Sequence, residues 1–301
     1  MEQKGSVAVA LGMFDGMHVG HRALIARTVE YAAKQGCLSA VYTFANHPST
    51  VLGGGSALLS DAAERAALMR SLGCDIVRMD TFTRELAALT PEAFVEMLFE
   101  SWQVRRFVVG FNYTFGRFGE GTPEMLTALG ARMGFSVDTV EPVLYRGEPV
   151  SSTRIRAAIE AGDVASATDM LSRPYALTGE VVANRRIGRR IGFPTANIAA
   201  EPGRVVPARG VYATEAVVRG ETFRAVTNVG MNPTVGGDRL SIETHLIGFS
   251  GDAYGQPLTV RFLQRLRGET TFENVDALKR QIAQDVEAAK RIIAATAAHT
   301  V

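Results

Sequence analysis

The sequence contains few cysteines, almost no net charge and no long apolar run. Cys37 and Cys74 are the only cysteines among 301 residues. Two cysteines exclude a disulfide framework and a cysteine-rich metal site, and such low usage is typical of a reducing compartment. The formal net charge of +1 means that no overall field attracts the chain to nucleic acid or to an anionic membrane. Since no apolar run approaches about 20 residues, no transmembrane helix is expected.

The first residues also do not resemble a secretory signal. Their apolar stretch covers only residues 7–11, which is shorter than the core of a signal peptide. We therefore predict a cytoplasmic protein with neither nucleic-acid nor membrane partners. The length of 301 residues, of which 47% are hydrophobic and 21% charged, favours two globular domains with sizeable cores.

Short apolar runs alternate with helical patterns in the first half of the chain. The runs are expected to form strands at residues 7–11, 38–44, 75–79, 106–110 and 136–140. Helix-start residues, among them Asp61, Thr90 and Thr122, precede the helical patterns between the strands. Strands that alternate with helices predict parallel βαβ units, and therefore a doubly wound, Rossmann-like α/β sheet.

The pattern changes near Pro174. Short segments rich in Val, Thr, Ile and Phe follow, at residues 176–183, 210–218, 222–229, 241–248 and 258–263. This spacing is typical of an antiparallel barrel or sandwich. An amphipathic helix is predicted at about 274–297, with one apolar face formed by Val275, Leu278, Ile282, Val286, Ala289 and Ile293. We place the boundary after Ser172, which gives domains at 1–172 and 173–301.

The loop after the first predicted strand carries a candidate phosphate site. It reads Gly-Met-Phe-Asp-Gly-Met-His-Val-Gly-His over residues 12–21. Open α/β sheets bind ligands where a strand ends, and a helix N-terminus offers N–H groups to phosphate. His18 and His21 are three residues apart, so both can donate hydrogen bonds to one phosphate. A helix cap, a surface residue or half of a metal site are the alternatives.

Two further segments are candidate anion sites. Residues 151–156 combine hydroxyls, a helix start and two arginines, although a capped surface helix is the alternative. Residues 185–197 contain four arginines, which usually indicate a solvated loop or a nucleic-acid patch, but two glycines in the run favour backbone wrapped around a phosphate. Thr195 and Asn197 offer neutral oxygens on one face of an extended chain, which suits Mg²⁺.

The pattern of residues 12–21 resembles the nucleotide loop of bacterial bifunctional riboflavin kinase/FAD synthetases. Residues 43–48, 109–116 and 151–156 resemble three further elements of that family in the same order. The resemblance implies FMN adenylyltransferase chemistry in the first domain, with catalytic roles for His18, His21 and Arg156. It implies ATP binding by Gly12, Phe14, Asp15, Gly16, Gly20, Ser152 and Thr153, and flavin binding by Phe44, His47, Pro48 and Asn112.

The second half resembles the kinase domain of the same family. Residues 188–197 match its Gly-Arg-x-Ile-Gly-Phe-Pro-Thr-Ala-Asn signature, and further matches follow at residues 228–234, 243–245, 252–255 and 267–272. The resemblance implies a Greek-key barrel in which Thr195 and Asn197 bind Mg²⁺ and Glu243 is the catalytic base. By its position alone, Glu243 is a mid-strand carboxylate of the kind that usually faces solvent. The other implied contacts are to ATP from Gly188, Arg189, Gly192 and Pro194, and to flavin from Arg267.

Four positions depart from the family pattern. Asn184 replaces a usual glycine, Gly248 a usual aspartate, Ala253 a usual leucine and Asn46 a common proline. These departures leave the residues for ATP and Mg²⁺ intact.

The leading prediction is therefore a bifunctional transferase of flavin cofactor biosynthesis. It phosphorylates riboflavin to FMN with ATP, and then adenylates FMN to FAD with release of pyrophosphate; Mg²⁺ is the cofactor. A flavin-sensing or RNA-binding regulator without turnover is one alternative, which only the arginine run supports. A related adenylyl- or cytidylyltransferase with another phosphate acceptor is the second.

Overall fold

The computed structural model describes residues 5–182, 188, 191–199, 202–234 and 237–298, with the backbone alone at 232–234, 237–239 and 296–298. The chain divides into two compact units, Met1–Ser152 and Thr153–Val301. None of the described helices is long and apolar enough to cross a membrane.

The first unit contains a five-stranded parallel sheet. Its strands are β1 (Ser6–Leu11), β2 (Leu38–Phe44), β3 (Ile76–Asp80), β4 (Gln103–Gly110) and β5 (Ser136–Val140). They lie in the order β3-β2-β1-β4-β5, and every pairing is parallel. Residues 7–11 of the central strand β1 are all apolar and buried, as expected of a strand with helices on both faces. The predicted Rossmann-like α/β fold is confirmed.

Helices follow the strands of this unit. They are α1 (Val19–Gln35), α2 (Pro48–Leu52), α3 (Ala62–Ser71), α4 (Arg84–Ala87), α5 (Pro91–Ser101) and α6 (Pro123–Met133). Asp61, Thr90 and Thr122 cap α3, α5 and α6, as predicted. The short helices α2 and α4 are not evident from the sequence, because one turn is too short to show an apolar period. A two-stranded hairpin, β6 (Leu144–Tyr145) and β7 (Glu148–Pro149), follows β5.

The second unit contains a closed barrel of antiparallel strands, preceded by α7 (Ser152–Glu160) and α8 (Val164–Leu171). The strands are β8 (Tyr175–Val182), β9 (Ala196–Ala199), β10 (Gly210–Val218), β11 (Glu221–Thr234), β12 (Gly237–Leu246) and β13 (Pro257–Arg267). They close in the order β10-β11-β12-β9-β8-β13. Of the two predicted alternatives, the barrel is therefore correct and the sandwich is wrong.

The C-terminal helix α9 (Val275–Ala298) packs on the outside of this barrel. Val286, Ala289 and Ile293, three residues of the predicted apolar face, form a buried cluster with barrel residues. The prediction that Val275 belongs to this face is wrong, since its side chain is 54% exposed. Fully buried positions on α9 begin only at Asp285, and the preceding turns are half-buried, with Ile282 packed against the same cluster.

Candidate active sites

The loop between β1 and α1 has an unusual backbone shape. Phe14 (φ 52°), Gly16 (φ 77°) and Met17 (φ 46°) adopt left-handed conformations. Phe14 and Met17 are fully buried in the core on one face of the sheet. Core packing therefore offsets the strain of two non-glycine residues in this region.

Asp15 ties this loop to the segment before α3. Its carboxylate accepts hydrogen bonds from the N–H groups of Leu59 (3.0 Å) and Ser60 (3.2 Å), and the Gly16 N–H donates to Ser60 Oγ (2.9 Å). Phe14, Asp15 and Gly16 shape the loop and do not line the cavity beside it. The ATP contacts that the resemblance implies for these three residues stay predictions.

His18 and His21 form a stacked pair at the start of α1. Their ring centroids are 3.6 Å apart, with an angle of 20° between the ring planes. His18 Nδ1 accepts a hydrogen bond from the His21 N–H (3.3 Å), which makes His18 the N-cap of the helix. Gly20 leaves room for this arrangement, because a Cβ there would lie 3.2 Å from the His18 ring.

Both imidazoles are neutral at pH 7. Burial lowers the pKa of His18 to about 4. Burial lowers the pKa of His21 well below its usual range; repulsion from a protonated His18 and from the Arg65 guanidinium lowers it further. Because His18 Nδ1 is an acceptor, the single proton of the neutral ring is on Nε2, which can donate. His21 Nδ1 is buried and has no hydrogen-bond partner among the described residues.

Acid is expected to destabilise the first unit through His18. The folded chain holds its pKa near 4, whereas the ordinary value is 6.5. Between these values the unfolded state binds a proton that the folded state does not, so the free energy of unfolding falls as the pH falls. The free energy of unfolding is expected to fall by roughly 3 kcal/mol between pH 7 and pH 4. His18→Asn retains an N-cap acceptor without a titrating ring, and is expected to reduce this dependence.

Urea unfolding at several pH values measures the effect, followed by the fluorescence of Trp102, the single tryptophan. Some acid sensitivity is expected to remain in the variant, because the pKa of His21 is lowered in the same direction. Identical pH dependence in the wild type and in His18→Asn would contradict the lowered pKa of His18.

A cavity of about 480 Å³ opens beside the histidine pair. Most of the predicted site residues of this unit line it: Gly12, His18, Gly20, His21, Phe44, Pro48, Asn112 and Ser152. His47 does not line it. Instead, its Nδ1 accepts a hydrogen bond from the Ser49 N–H (3.1 Å) and caps α2. The structure therefore brings together the histidine loop and most of the predicted flavin residues.

Sequence reasoning missed much of the aromatic wall of this cavity. Besides Phe44, the wall contains Tyr42, Phe82, Phe94, Tyr113 and Phe115. Alternation along β2 was the available signal for Tyr42, because residues 42 and 44 face the same side of a strand. The Tyr42 hydroxyl is buried and lies beside the Asp80 carboxylate. Burial and the Asp80 carboxylate raise its pKa, so it stays a protonated donor.

Ser152 connects the start of α7 to the nucleotide loop. Its Oγ donates a hydrogen bond to the Asp15 carbonyl oxygen (2.9 Å). Thr153 and Arg156 follow on the same helix and belong to the second compact unit. The ATP-binding role of Thr153 and the catalytic role of Arg156 stay predictions.

The second unit presents a tight turn before β9. The Gly188 carbonyl accepts hydrogen bonds from the N–H groups of Ile191 (3.2 Å) and Phe193 (2.9 Å). A Cβ at Gly188 would lie 2.3 Å from the Phe193 carbonyl oxygen, so only glycine fits. Gly192 has a φ of 89°, which also favours glycine. Arg189, for which the resemblance implies an ATP contact, lies outside the described residues.

A second cavity, of about 670 Å³, lies within this unit and is lined by Pro194, Thr195 and Asn197. Asn197 is only 8% exposed. Glu243 on β12 is paired with Asn197 on β9 and with Asn228 on β11. Directly paired residues of antiparallel strands share a face, so these three polar side chains form one row on the barrel. Glu243 does not line the cavity itself.

Comparison with known families covers both units. The FAD synthetase family model matches residues 1–154, and the riboflavin kinase family model matches residues 171–293. The bifunctional riboflavin kinase/FMN adenylyltransferase of Pseudomonas fluorescens is 37% identical over 301 residues, covering 99% of this chain and 96% of that protein. This chain belongs to that family. The predicted pair of activities, riboflavin kinase and FMN adenylyltransferase, is thereby confirmed.

Other relatives agree over the same length. The protein of the same name from Bacillus subtilis (strain 168) is 34% identical, covering 96% of this chain and 93% of that protein. A crystal structure named as a macrolide-efflux protein from Streptococcus pneumoniae is 32% identical and has a TM-score of 0.88. That comparison covers 95% of this chain and 94% of the other. The fold is therefore shared along nearly the whole chain.

Arg267, a predicted flavin residue of the kinase half, is held by the C-terminal helix. Its Nη2 and Nε atoms donate to the Asp285 carboxylate on α9, at 2.8 Å and 3.1 Å. The guanidinium carbon lies 5.7 Å from the centre of the Phe272 ring. Asp285 is 5% exposed and also accepts a hydrogen bond from Gln281. These contacts attach α9 to β13, and a flavin contact of Arg267 stays a prediction.

Two of the four departures from the family pattern, Asn46 and Gly248, have local explanations. Asn46 donates to the Phe82 carbonyl (3.0 Å) and accepts from the Phe82 N–H (2.7 Å), so it orders a residue of the aromatic wall in a way that proline cannot. Gly248 has a φ of 82°, a conformation that favours glycine. Ala253 lines the second cavity. Asn184 lies outside the described residues.

Proposed function

We propose that the cavity beside His18 and His21 is the adenylyl-transfer site of this family member, and that Thr195, Asn197 and Glu243 form its riboflavin kinase site. The observation that carries the first assignment is the pair of neutral, stacked imidazoles at the start of α1. A helix start and two N–H donors on one cavity wall suit a phosphate group. The aromatic wall suits the flat ring of a flavin.

Adenylyl transfer at this site needs no protein nucleophile. A phosphate oxygen of FMN attacks the α-phosphorus of ATP, and the bond from that phosphorus to the β-phosphate oxygen breaks, which releases pyrophosphate. His18 Nε2–H donates to the α-phosphate as negative charge accumulates there. His21 and the N–H groups at the start of α1 orient the phosphates. Neutral donors give alignment without a proton transfer to or from the protein.

Phosphorylation of riboflavin is assigned to the row of polar residues on the barrel. Glu243 accepts the proton of the riboflavin hydroxyl as its oxygen attacks the γ-phosphorus of ATP, and ADP leaves. Asn197 and Asn228 flank Glu243 on the neighbouring strands, so all three side chains lie on one face of the barrel wall. Glu243 is partly exposed, which leaves it reachable by the substrate.

The donor set at the second cavity fits Mg²⁺. Thr195 and Asn197 supply hard, neutral side-chain oxygens on the cavity wall. Among the described residues, no group of three His, Cys, Asp or Glu side chains could hold a metal by itself. This suits Mg²⁺, which keeps several waters and takes other ligands from nucleotide phosphates. When bound, Mg²⁺ neutralises charge that develops on the transferred phosphoryl group.

His245 is expected to hold Thr195 in place. Its Nδ1 donates to the Pro194 carbonyl oxygen (2.9 Å), and its ring packs edge-on against Phe193. His245→Asn places an amide N–H near the position of Nδ1, whereas His245→Gln places it near Nε2. We therefore expect the Gln variant to need about ten-fold more Mg²⁺ for half-maximal FMN formation, with little change in the Asn variant.

FAD formation from added FMN is the internal control for both His245 variants, and it is expected to stay at the wild-type rate. Equal Mg²⁺ requirements in the two variants and the wild type would contradict a positioning role for His245.

The assay that tests both assignments uses purified protein with riboflavin, ATP and Mg²⁺, followed by separation of FMN and FAD. Both products are expected to accumulate, with FMN appearing first. We also propose a cytoplasmic location, on the grounds that Cys37 and Cys74 are both free thiols and that ATP is a substrate. Recovery of the protein from a secreted or membrane fraction would contradict this location.

A further inference from the structure

Arg65 is the largest fully buried side chain of the described residues, with an exposure of 0%. It lies on the first turns of α3, behind the nucleotide loop. Taking a guanidinium out of water is costly, and a methionine of similar length would fill the same space without that cost. A buried arginine at this position therefore calls for an explanation beyond packing.

The contacts of Arg65 join two loops. Nη1 donates to the Met13 carbonyl oxygen (2.9 Å), and Nη2 donates to the Ala45 carbonyl oxygen (2.8 Å). Nε lies 3.4 Å from the Asp61 carbonyl oxygen within α3 itself. One rigid, forked group thus contacts the loop after β1 and the loop after β2 at the same time.

Both loops carry residues of the adenylyl-transfer cavity. Met13 precedes His18 and lines the cavity, and Ala45 lies between the lining residues Phe44 and Pro48. A second hydrogen bond, from Thr43 Oγ1, reaches the same Met13 oxygen (3.0 Å). The distance between the loop that carries His18 and the loop that carries Phe44 therefore depends on the two hydrogen bonds of Arg65.

The positive charge of Arg65 also acts on the histidine pair. It adds to burial, the larger effect, in lowering the pKa of His21. The same charge attracts the negative phosphates of a bound nucleotide, and it is strongest in effect when negative charge accumulates during transfer.

We infer that Arg65 is a positioning residue for adenylyl transfer, which sets the loop of His18 and His21 against the loop of Phe44 and Pro48 and keeps a buried positive charge beside the nucleotide phosphates. This inference rests on the proposed function of the first cavity. It assigns no contact between Arg65 and either substrate.

Two substitutions distinguish the effect of the paired hydrogen bonds of Arg65 from the effect of its positive charge. Arg65→Lys keeps the charge but cannot donate to both carbonyls in the same geometry, and Arg65→Met removes both properties. We expect FAD formation from FMN to fall about 100-fold in Arg65→Lys, with a higher KM for FMN, and to fall further in Arg65→Met. FMN formation by the same chains is expected to stay unchanged. Arg70→Met, an exposed site on the same helix, is the matched control and should match the wild type.

The pKa of His21, measured by NMR titration of labelled histidines, gives a readout that a purely structural role would not move. It is expected to rise in Arg65→Met and to stay low in Arg65→Lys. Wild-type kcat and KM for FAD formation in Arg65→Lys would overturn the inference, even if Arg65→Met fails to fold. If instead His18→Ala leaves FAD formation intact, the proposed function of the cavity fails, and the inference fails with it.

Discussion

His18→Ala is expected to lower FAD formation from FMN by about 10²- to 10³-fold, while riboflavin phosphorylation continues at the wild-type rate. Removing one aligned donor to a charge that develops in the transition state typically has an effect of this size. The main effect should fall on kcat, because the Nε2 donor of His18 acts most strongly when the α-phosphate gains negative charge. Separate assays with riboflavin or with FMN as the substrate measure the two activities.

The N-cap role of His18 requires a control in this experiment. Alanine removes both the donor and the cap, whereas His18→Asn retains a cap acceptor for the His21 N–H. Both variants should therefore lose FAD formation, but only His18→Ala should also lose stability. An Asn variant with wild-type kcat would show that His18 contributes only a cap, and would remove the basis of the proposed adenylyl-transfer site.

Glu243→Gln is expected to have the opposite result, with FMN formation lowered by about 10²- to 10⁴-fold and FAD formation from added FMN intact. The substitution keeps size and hydrogen-bonding capacity but removes the base that accepts the proton of riboflavin. Initial rates of FMN formation over a range of riboflavin and ATP concentrations measure the loss. It should appear in kcat more than in KM, because the substrate contacts are retained.

Glu215→Gln is the matched control for Glu243. Glu215 lies on β10 in the same barrel and forms an exposed ion pair with Arg261 (3.8 Å). Loss of this ion pair should change the rates of FMN formation and of FAD formation by no more than about two-fold, since exposed ion pairs contribute little. Equal losses in both variants would mean that the barrel tolerates no loss of charge, and wild-type activity in Glu243→Gln would exclude it as the base.

Much of the first site could be predicted from local pattern. The apolar run at residues 7–11, the loop that follows and the start of α1 are adjacent in sequence, so a strand-loop-helix unit with His18 and His21 at its turn follows from short-range rules. The caps Asp61, Thr90 and Thr122 follow from the same rules. The motif also led to predicted ATP contacts for Phe14 and Asp15, but neither residue lines the cavity. A motif shows which residue type occupies a position, and it does not show whether the side chain faces the ligand or the core.

Contacts between distant segments could not be predicted in this way. Arg65 is in a helical pattern with no sign that it is buried, and its partners Met13 and Ala45 are 52 and 20 residues away. Strand β9 has only four residues, too few to show an alternation, so its place beside β12 and the row of Asn197, Glu243 and Asn228 emerge only when the barrel closes.

The amino-acid sequence by itself determined the fold class, because apolar periodicity and caps act over a few neighbouring residues, and its short motifs carried the family resemblance that implies two catalytic halves. Only the tertiary structure decided that the two histidines stack and stay neutral, that an aromatic wall faces them, and that a buried arginine joins the two loops. The reason is physical: burial, pKa and ring stacking depend on which distant segments pack together, and local sequence does not encode the distance between them.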